Sequence, residues 1–180
     1  MLFVVVFLVA TAGIGASLGD VSDKDDKSTQ HWATVHRLSG VAAALAVMFI
    51  NGVVITYFVG TCRWCKEVVD TYNLDSNLTY RSAVLKRRAF PISLLLMLVF
   101  VVVVASGGAA DPSAAVQPPP LGGVQWSTLH LVGVLLGMAA LLYVAYFQMT
   151  CIRANQKVIH EILQNVREVR VAKGLDVSDG

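Results

Sequence analysis

Two histidines stand at matched places in the chain. His36 closes the stretch QHWATVH, residues 30–36, and His130 closes VQWSTLH, residues 124–130; each follows a tryptophan by four residues and opens a long apolar run. A histidine inside an apolar helix is costly, so it marks a candidate site. Two imidazoles brought to one depth by parallel helices can take opposite sides of a porphyrin iron. A flat macrocycle needs room beside each ligand. The sequence offers it in Gly40, four residues after His36, with Ala42, Ala43 and Ala44 beyond, and in Gly133 and Gly137 after His130. Arg37, beside the ligand at the water edge, would pair with a propionate. The expected cofactor is one haem b, with His36 and His130 as axial ligands and Arg37, Gly40, Gly133 and Gly137 around it.

Other arrangements compete with this one. His31, His36 and His130, completed by Asp25 or Asp26, would suit copper or zinc. Against that, His31 and His36 lie five apart, about 140° around a helix, and Gln125 stands where a matching His31 would be. A plainer reading makes Trp32 and Trp126 headgroup anchors and Thr34 and Thr128 helix N-caps, with histidines that tolerate the interface. On that reading the chain is a cofactor-free structural or assembly subunit. His160 reads as a solvated surface residue. The lone C-x-x-C in CRWCK, residues 62–66, is followed by Lys66 rather than His, and no second pair exists, so it reads as lipid-acylated or plain interfacial cysteines. Asn51 reads as a helix–helix hydrogen-bonding residue. There is no Ser-His-Asp arrangement, phosphate-cradling glycine loop or buried carboxylate pair, so no catalytic signature is present.

The elements that must position these residues are hydrophobic. Of the 180 residues 56% are hydrophobic and 14% charged, with mean hydropathy +0.64; a soluble domain carries about 25% charged residues. Four membrane spans are expected, over Leu2–Leu18, Leu38–Gly60, Phe90–Ser106 and Leu129–Met149, each near the ~20 residues that cross the hydrocarbon core. Unbroken apolar runs exclude the alternation of a barrel. ATAGIGAS offers small residues for signal cleavage, yet no Lys or Arg precedes the first run, so a retained helix is expected. The net charge of +2 and the lack of a spare basic face argue against nucleic acid.

The two halves resemble each other beyond the histidines. Span two ends YFVGTC, residues 57–62, and span four ends YFQMTC, residues 146–151; spans one and three both thin into small residues, VATAGIGAS against VVASGGAA. The expected fold is an all-α membrane protein, an up-down-up-down four-helix bundle built from a duplicated hairpin with halves at about 1–62 and 90–151. The inner connection is expected to continue span two through RWCKEVVDTY, break at NLDSN and resume as a helix. Residues 1–154 form the expected transmembrane domain and 155–180 a cytoplasmic amphipathic helix and tail. Its stripe, which includes Ile159, Ile162, Val166 and Val169, must be covered by the inner loop, the membrane surface or another subunit. Cys62, Cys65 and Cys151 lie at the inner ends, where a reducing compartment disfavours disulfides.

HRLSG, residues 36–40, resembles the H-R-x-S-G signature that opens a helix in the cytochrome b subunit of succinate dehydrogenases. That resemblance implies a haem- and quinone-handling membrane anchor, with Arg37 and Ser39 near a quinone. The general plan resembles small bis-histidine membrane b-type cytochromes. The expected function is a membrane electron-transfer subunit of a larger respiratory or redox complex in a bacterial inner membrane.

Eleven basic residues fall in 61–89 and the tail, against Lys24, Lys27 and Arg37 on the other side. The positive-inside rule then puts both termini in the cytoplasm and both histidines at the extracytoplasmic face. A C-terminal tag should be cut by protease added to inside-out vesicles and protected in right-side-out ones. The reverse pattern would overturn the orientation.

Overall fold

In a computed structural model describing residues 2–114 and 116–175, the regular structure is helical, with no strand among the described residues. The helices are α1 (Leu2–Ala16), α2 (Lys27–Tyr72), α3 (Ser76–Ala110) and α4 (Trp126–Ala172). Helices α2, α3 and α4 are long and apolar enough to cross a membrane. α1, with 15 residues, falls short of the ~20 required, ending two residues before the expected Leu18. Large apolar side chains such as Leu38, Phe49, Leu95, Val102 and Leu136 are exposed. Such surfaces in water would be large apolar patches, and lipid is their natural solvent.

Short polar side chains set the helix boundaries. Asp26 caps α2: its Oδ1 accepts from the backbone N–H groups of Ser28 (3.0 Å) and Thr29 (3.1 Å). This corrects the expected cap at Thr34, which lies inside α2 and donates to the Gln30 carbonyl at 3.0 Å. Thr128 likewise falls within the first turn of α4 rather than before it. Asn73, at φ 51°, closes α2 in the left-handed conformation, and the Leu74 N–H reaches back to the Val69 carbonyl at 3.0 Å. Asp75 then caps α3 through the Asn77 N–H at 2.8 Å. The chain therefore breaks within the expected NLDSN. In the longer connection, Gly122 and Gly123 take positive φ of 59° and 82°, as a tight reversal between the paired Leu121 and Val124 requires.

The chain divides into two compact units, Met1–Asn51 with Leu94–Ala145, and Gly52–Ser93 with Tyr146–Gly180. The division cuts across α2, α3 and α4. The first unit buries Val4 and Leu8 of α1, Ala43, Ala44 and Val47 of α2, Leu96 and Phe100 of α3, and Leu141 and Val144 of α4. Asn51 is buried there as well, its Nδ2 donating to the Val47 carbonyl at 2.8 Å.

The second unit draws α2, α3 and α4 around a polar network and two apolar clusters, a small one of Phe58, Ala89 and Cys151 and a larger one. Cys65, Val69, Leu78, Val158 and Ile162 form the larger cluster, with Ile159 and Val166 packed against it. The expected tail helix is therefore the end of α4, and much of its apolar stripe is covered by the chain's own inner helices rather than left for a partner; residues 176–180 lie outside the described residues. Asn155 is fully buried and satisfied from three sides. Its Oδ1 accepts from the Ser82 hydroxyl at 2.9 Å, and its Nδ2 donates to Thr61 Oγ1 (3.0 Å) and to the Tyr57 hydroxyl (3.3 Å). Gln148 Nε2 donates to Ser93 Oγ at 2.8 Å. Buried polar groups paired this way avoid the desolvation penalty of lone ones.

Ile162 has no exposed surface, whereas the adjacent Leu163 is 50% exposed. Ile162→Ala should cost about 2–5 kcal/mol of stability, and Leu163→Ala no more than about 0.5 kcal/mol. Denaturant unfolding of the two variants in detergent checks this; equal losses would show that the stripe is not a core.

Candidate functional site

The paired histidines meet within the first unit. Their ring centroids lie 6.4 Å apart, with the planes crossed at 83°. Each ring is anchored from behind by the helix that precedes its own. His36 Nδ1 lies 3.0 Å from the Thr11 carbonyl of α1. His130 Nδ1 lies 3.0 Å from the Val103 carbonyl of α3 and 3.2 Å from Ser106 Oγ, whose own hydroxyl donates to the Val103 carbonyl at 2.8 Å. A carbonyl only accepts, so Nδ1 carries the proton in each ring and donates it. Each neutral imidazole is then left with its lone pair on Nε2, the form in which histidine binds a metal.

Glycine makes room for both rings. A Cβ on Gly15 would fall 2.5 Å from His36 Cε1, and one on Gly107 would fall 2.8 Å from His130 Cε1. Gly15 lies four residues after Thr11 and Gly107 four after Val103, so acceptor and gap occupy one helix face. One arrangement therefore occurs twice: a carbonyl, a glycine one turn on, and an imidazole from the next helix.

The other expected residues divide. Arg37 is held by Asp111, just beyond α3: its Nη1 donates to Asp111 Oδ2 at 2.6 Å and to Ser113 Oγ at 2.7 Å. Burial works against the Asp111 carboxylate, but hydrogen bonds from Ser113 and Arg37 outweigh it and hold its pKa below the ordinary carboxyl value. Ser39 donates to the His36 carbonyl at 3.1 Å, within its own helix. A Cβ on Gly40 would meet Thr11 Cγ2 at 3.9 Å. A Cβ on Gly133 would meet Val103 Cγ2 at 3.6 Å, and one on Gly137 would meet Val103 and Phe100. These are ordinary van der Waals distances, so a methyl group would fit at any of the three, facing a neighbouring helix rather than an open slot. The glycines that accommodate the rings, Gly15 and Gly107, are ones that sequence reasoning passed over. The available signal was their shared place in the small-residue ends of α1 and α3.

His31 is exposed and lies edge-on to Trp32 at 5.8 Å. His160 is exposed on α4. No three His, Cys, Asp or Glu side chains among the described residues form a metal-binding group, which removes the expected His31, His36 and His130 alternative. The cysteines are free and buried. Burial pushes the Cys65 thiol pKa above its ordinary value, with a hydrogen bond to Ser82 opposing, so it is a poor thiolate ligand or nucleophile. Comparison with protein-family models, with curated proteins and with solved structures finds no match to this chain.

Gly15→Ala and Gly107→Ala should each force an imidazole off its carbonyl and cost about 1–3 kcal/mol, the usual range for overpacking. Gly108, beside which a Cβ would meet nothing within 4 Å, is the control. Gly108→Ala should be neutral or stabilising, because alanine favours the helix by roughly 0.5–1 kcal/mol. Thermal unfolding in detergent separates the two signs.

Proposed function

We propose that the chain is a membrane b-type cytochrome subunit, in which His36 and His130 hold one haem between them. The observation that carries this reading is the pair of back-anchored imidazoles. His36 and His130 would hold the iron through their Nε2 lone pairs, which requires the two rings to stand close together. The observed separation is 6.4 Å. The donor set suits a porphyrin iron, with two Nε2 lone pairs and, among the described residues, no carboxylate or thiolate gathered with them into a metal-binding group. A bound haem would supply one-electron chemistry through its iron. The residues of the chain supply the rest. Thr11 and Val103 fix the tautomer and orientation of the ligands, Ser106 adds a second contact to His130, and Gly15 and Gly107 let the rings seat.

The same reading includes an up-down-up-down bundle descended from a duplicated hairpin. Its support is the repeated carbonyl, glycine and imidazole arrangement, at Thr11, Gly15 and His36 and again at Val103, Gly107 and His130. The basic loops favour cytoplasmic termini, which puts the haem near the extracytoplasmic face. The chain would pass electrons between a quinol or partner subunit and an acceptor within a larger redox complex of a bacterial inner membrane. A rival reading, a cofactor-free structural subunit, draws on Gly133 and Gly137, which face Val103 of α3 rather than an open slot.

A reduced-minus-oxidised visible spectrum of the chain, purified from haem-replete cells with its native partners, tests both. We expect Soret and α bands that His36→Ala or His130→Ala abolishes or strongly shifts, while His31→Ala and His160→Ala leave them intact. A colourless wild type would sink the haem reading and leave the structural one.

A further inference from the structure

The two ligand helices differ in the residue that follows the histidine. Arg37 follows His36, whereas Leu131 follows His130. Arg37 is always charged, and its Cα lies about 3.8 Å from that of the ligand. Left alone, a fixed cation beside the site would favour the ferrous over the ferric state, because ferric iron carries one more positive charge. It is not left alone. Asp111 lies 2.6 Å from the guanidinium with its side chain 17% exposed, against 39% for Arg37. Ser113 clamps Asp111 Oδ1 through its N–H (2.9 Å) and its hydroxyl (2.7 Å). A clamped, partly buried pair is screened by salt much less than exposed charges are.

We infer that Asp111, acting through Arg37, sets the redox potential of the haem held by His36 and His130. This rests on the haem reading above. Asp111 is a positioning residue here: it touches Arg37 rather than the ligands, and it makes the charge beside His36 close to neutral. Because Leu131 stands beside His130 where Arg37 stands beside His36, the balance is applied from one side of the site. Breaking it from opposite ends leaves opposite charges. Asp111→Asn leaves the cation, and Arg37→Gln leaves the anion.

The test is a spectroelectrochemical titration of the full-length, haem-loaded chain in detergent at neutral pH. Wild type is compared with Asp111→Asn, Arg37→Gln, the double variant and Arg37→Lys. We expect the midpoint potential to rise in Asp111→Asn and to fall in Arg37→Gln. It should return close to wild type in the double variant and stay close to it in Arg37→Lys, which keeps the charge. Melting of the haem-free chain follows the structural part separately: breaking the pair from either side lowers the melting temperature, so damage to the fold does not predict opposite signs in potential. Haem bands that persist with no shift, or with shifts of one sign in both single variants, overturn the inference and leave the haem reading standing. A wild type without bands removes both.

Discussion

The first unit depends on one hydrogen bond made twice, from an imidazole N–H to a carbonyl inside the neighbouring helix. A helical carbonyl already accepts from its own ladder but has a second lone pair to offer. An imidazole in apolar surroundings must find such a partner or bear the cost of a lone buried polar group. Reaching the Thr11 and Val103 carbonyls requires the rings to lie flat on α1 and α3, which requires no side chain at residues 15 and 107. It also fixes which nitrogen keeps its lone pair. Helix spacing, glycine placement and the choice of the free ring nitrogen thus follow from a single contact.

The second unit solves a different problem. Its helices carry a charged exterior, with Arg81 paired to Glu161 at 2.7 Å and Arg63 to Glu67 at 2.8 Å. Exposed pairs like these contribute little to stability. The interior combines the Cys65, Val69, Leu78, Val158 and Ile162 cluster with the Asn155 network. A buried amide that can be satisfied only by Ser82, Thr61 and Tyr57 together specifies one alignment of three helices, where an all-apolar contact would tolerate sliding.

Much of this was legible in the chain itself. Hydropathy located the three long spans, and the break at Asn73 to Asp75 followed from turn-forming residues. The matched histidines were visible because two rare polar residues stood out against apolar runs. The cap of α2 was not, since both Asp26 and Thr34 are acceptable N-cap residues and only the helix's true start distinguishes them. The role of Gly15 and Gly107 was hidden because a glycine among small residues reads alike whether it faces lipid, a helix or a ring. The stripe at Ile159, Ile162 and Val166 announced burial but not its partner, because periodicity gives the face of a helix and not what covers it. Arg37 looked free for a propionate because Asp111 is 74 residues away along the chain.

The anchoring acceptor is a main-chain atom, and this determines where the sequence is free to drift. A carbonyl is present whatever side chain its residue carries, so selection on the anchor does not act on side-chain identity at positions 11 and 103. The two anchoring residues already differ, with a hydroxyl at Thr11 and its near-isostere at Val103, and the Thr11 hydroxyl lies buried with no hydrogen-bond partner among the described residues. Purifying pressure falls instead one turn along, where any side chain would collide with the ring. The heritable mark of this site is thus an empty space paired with a histidine, not the residue that holds the bond.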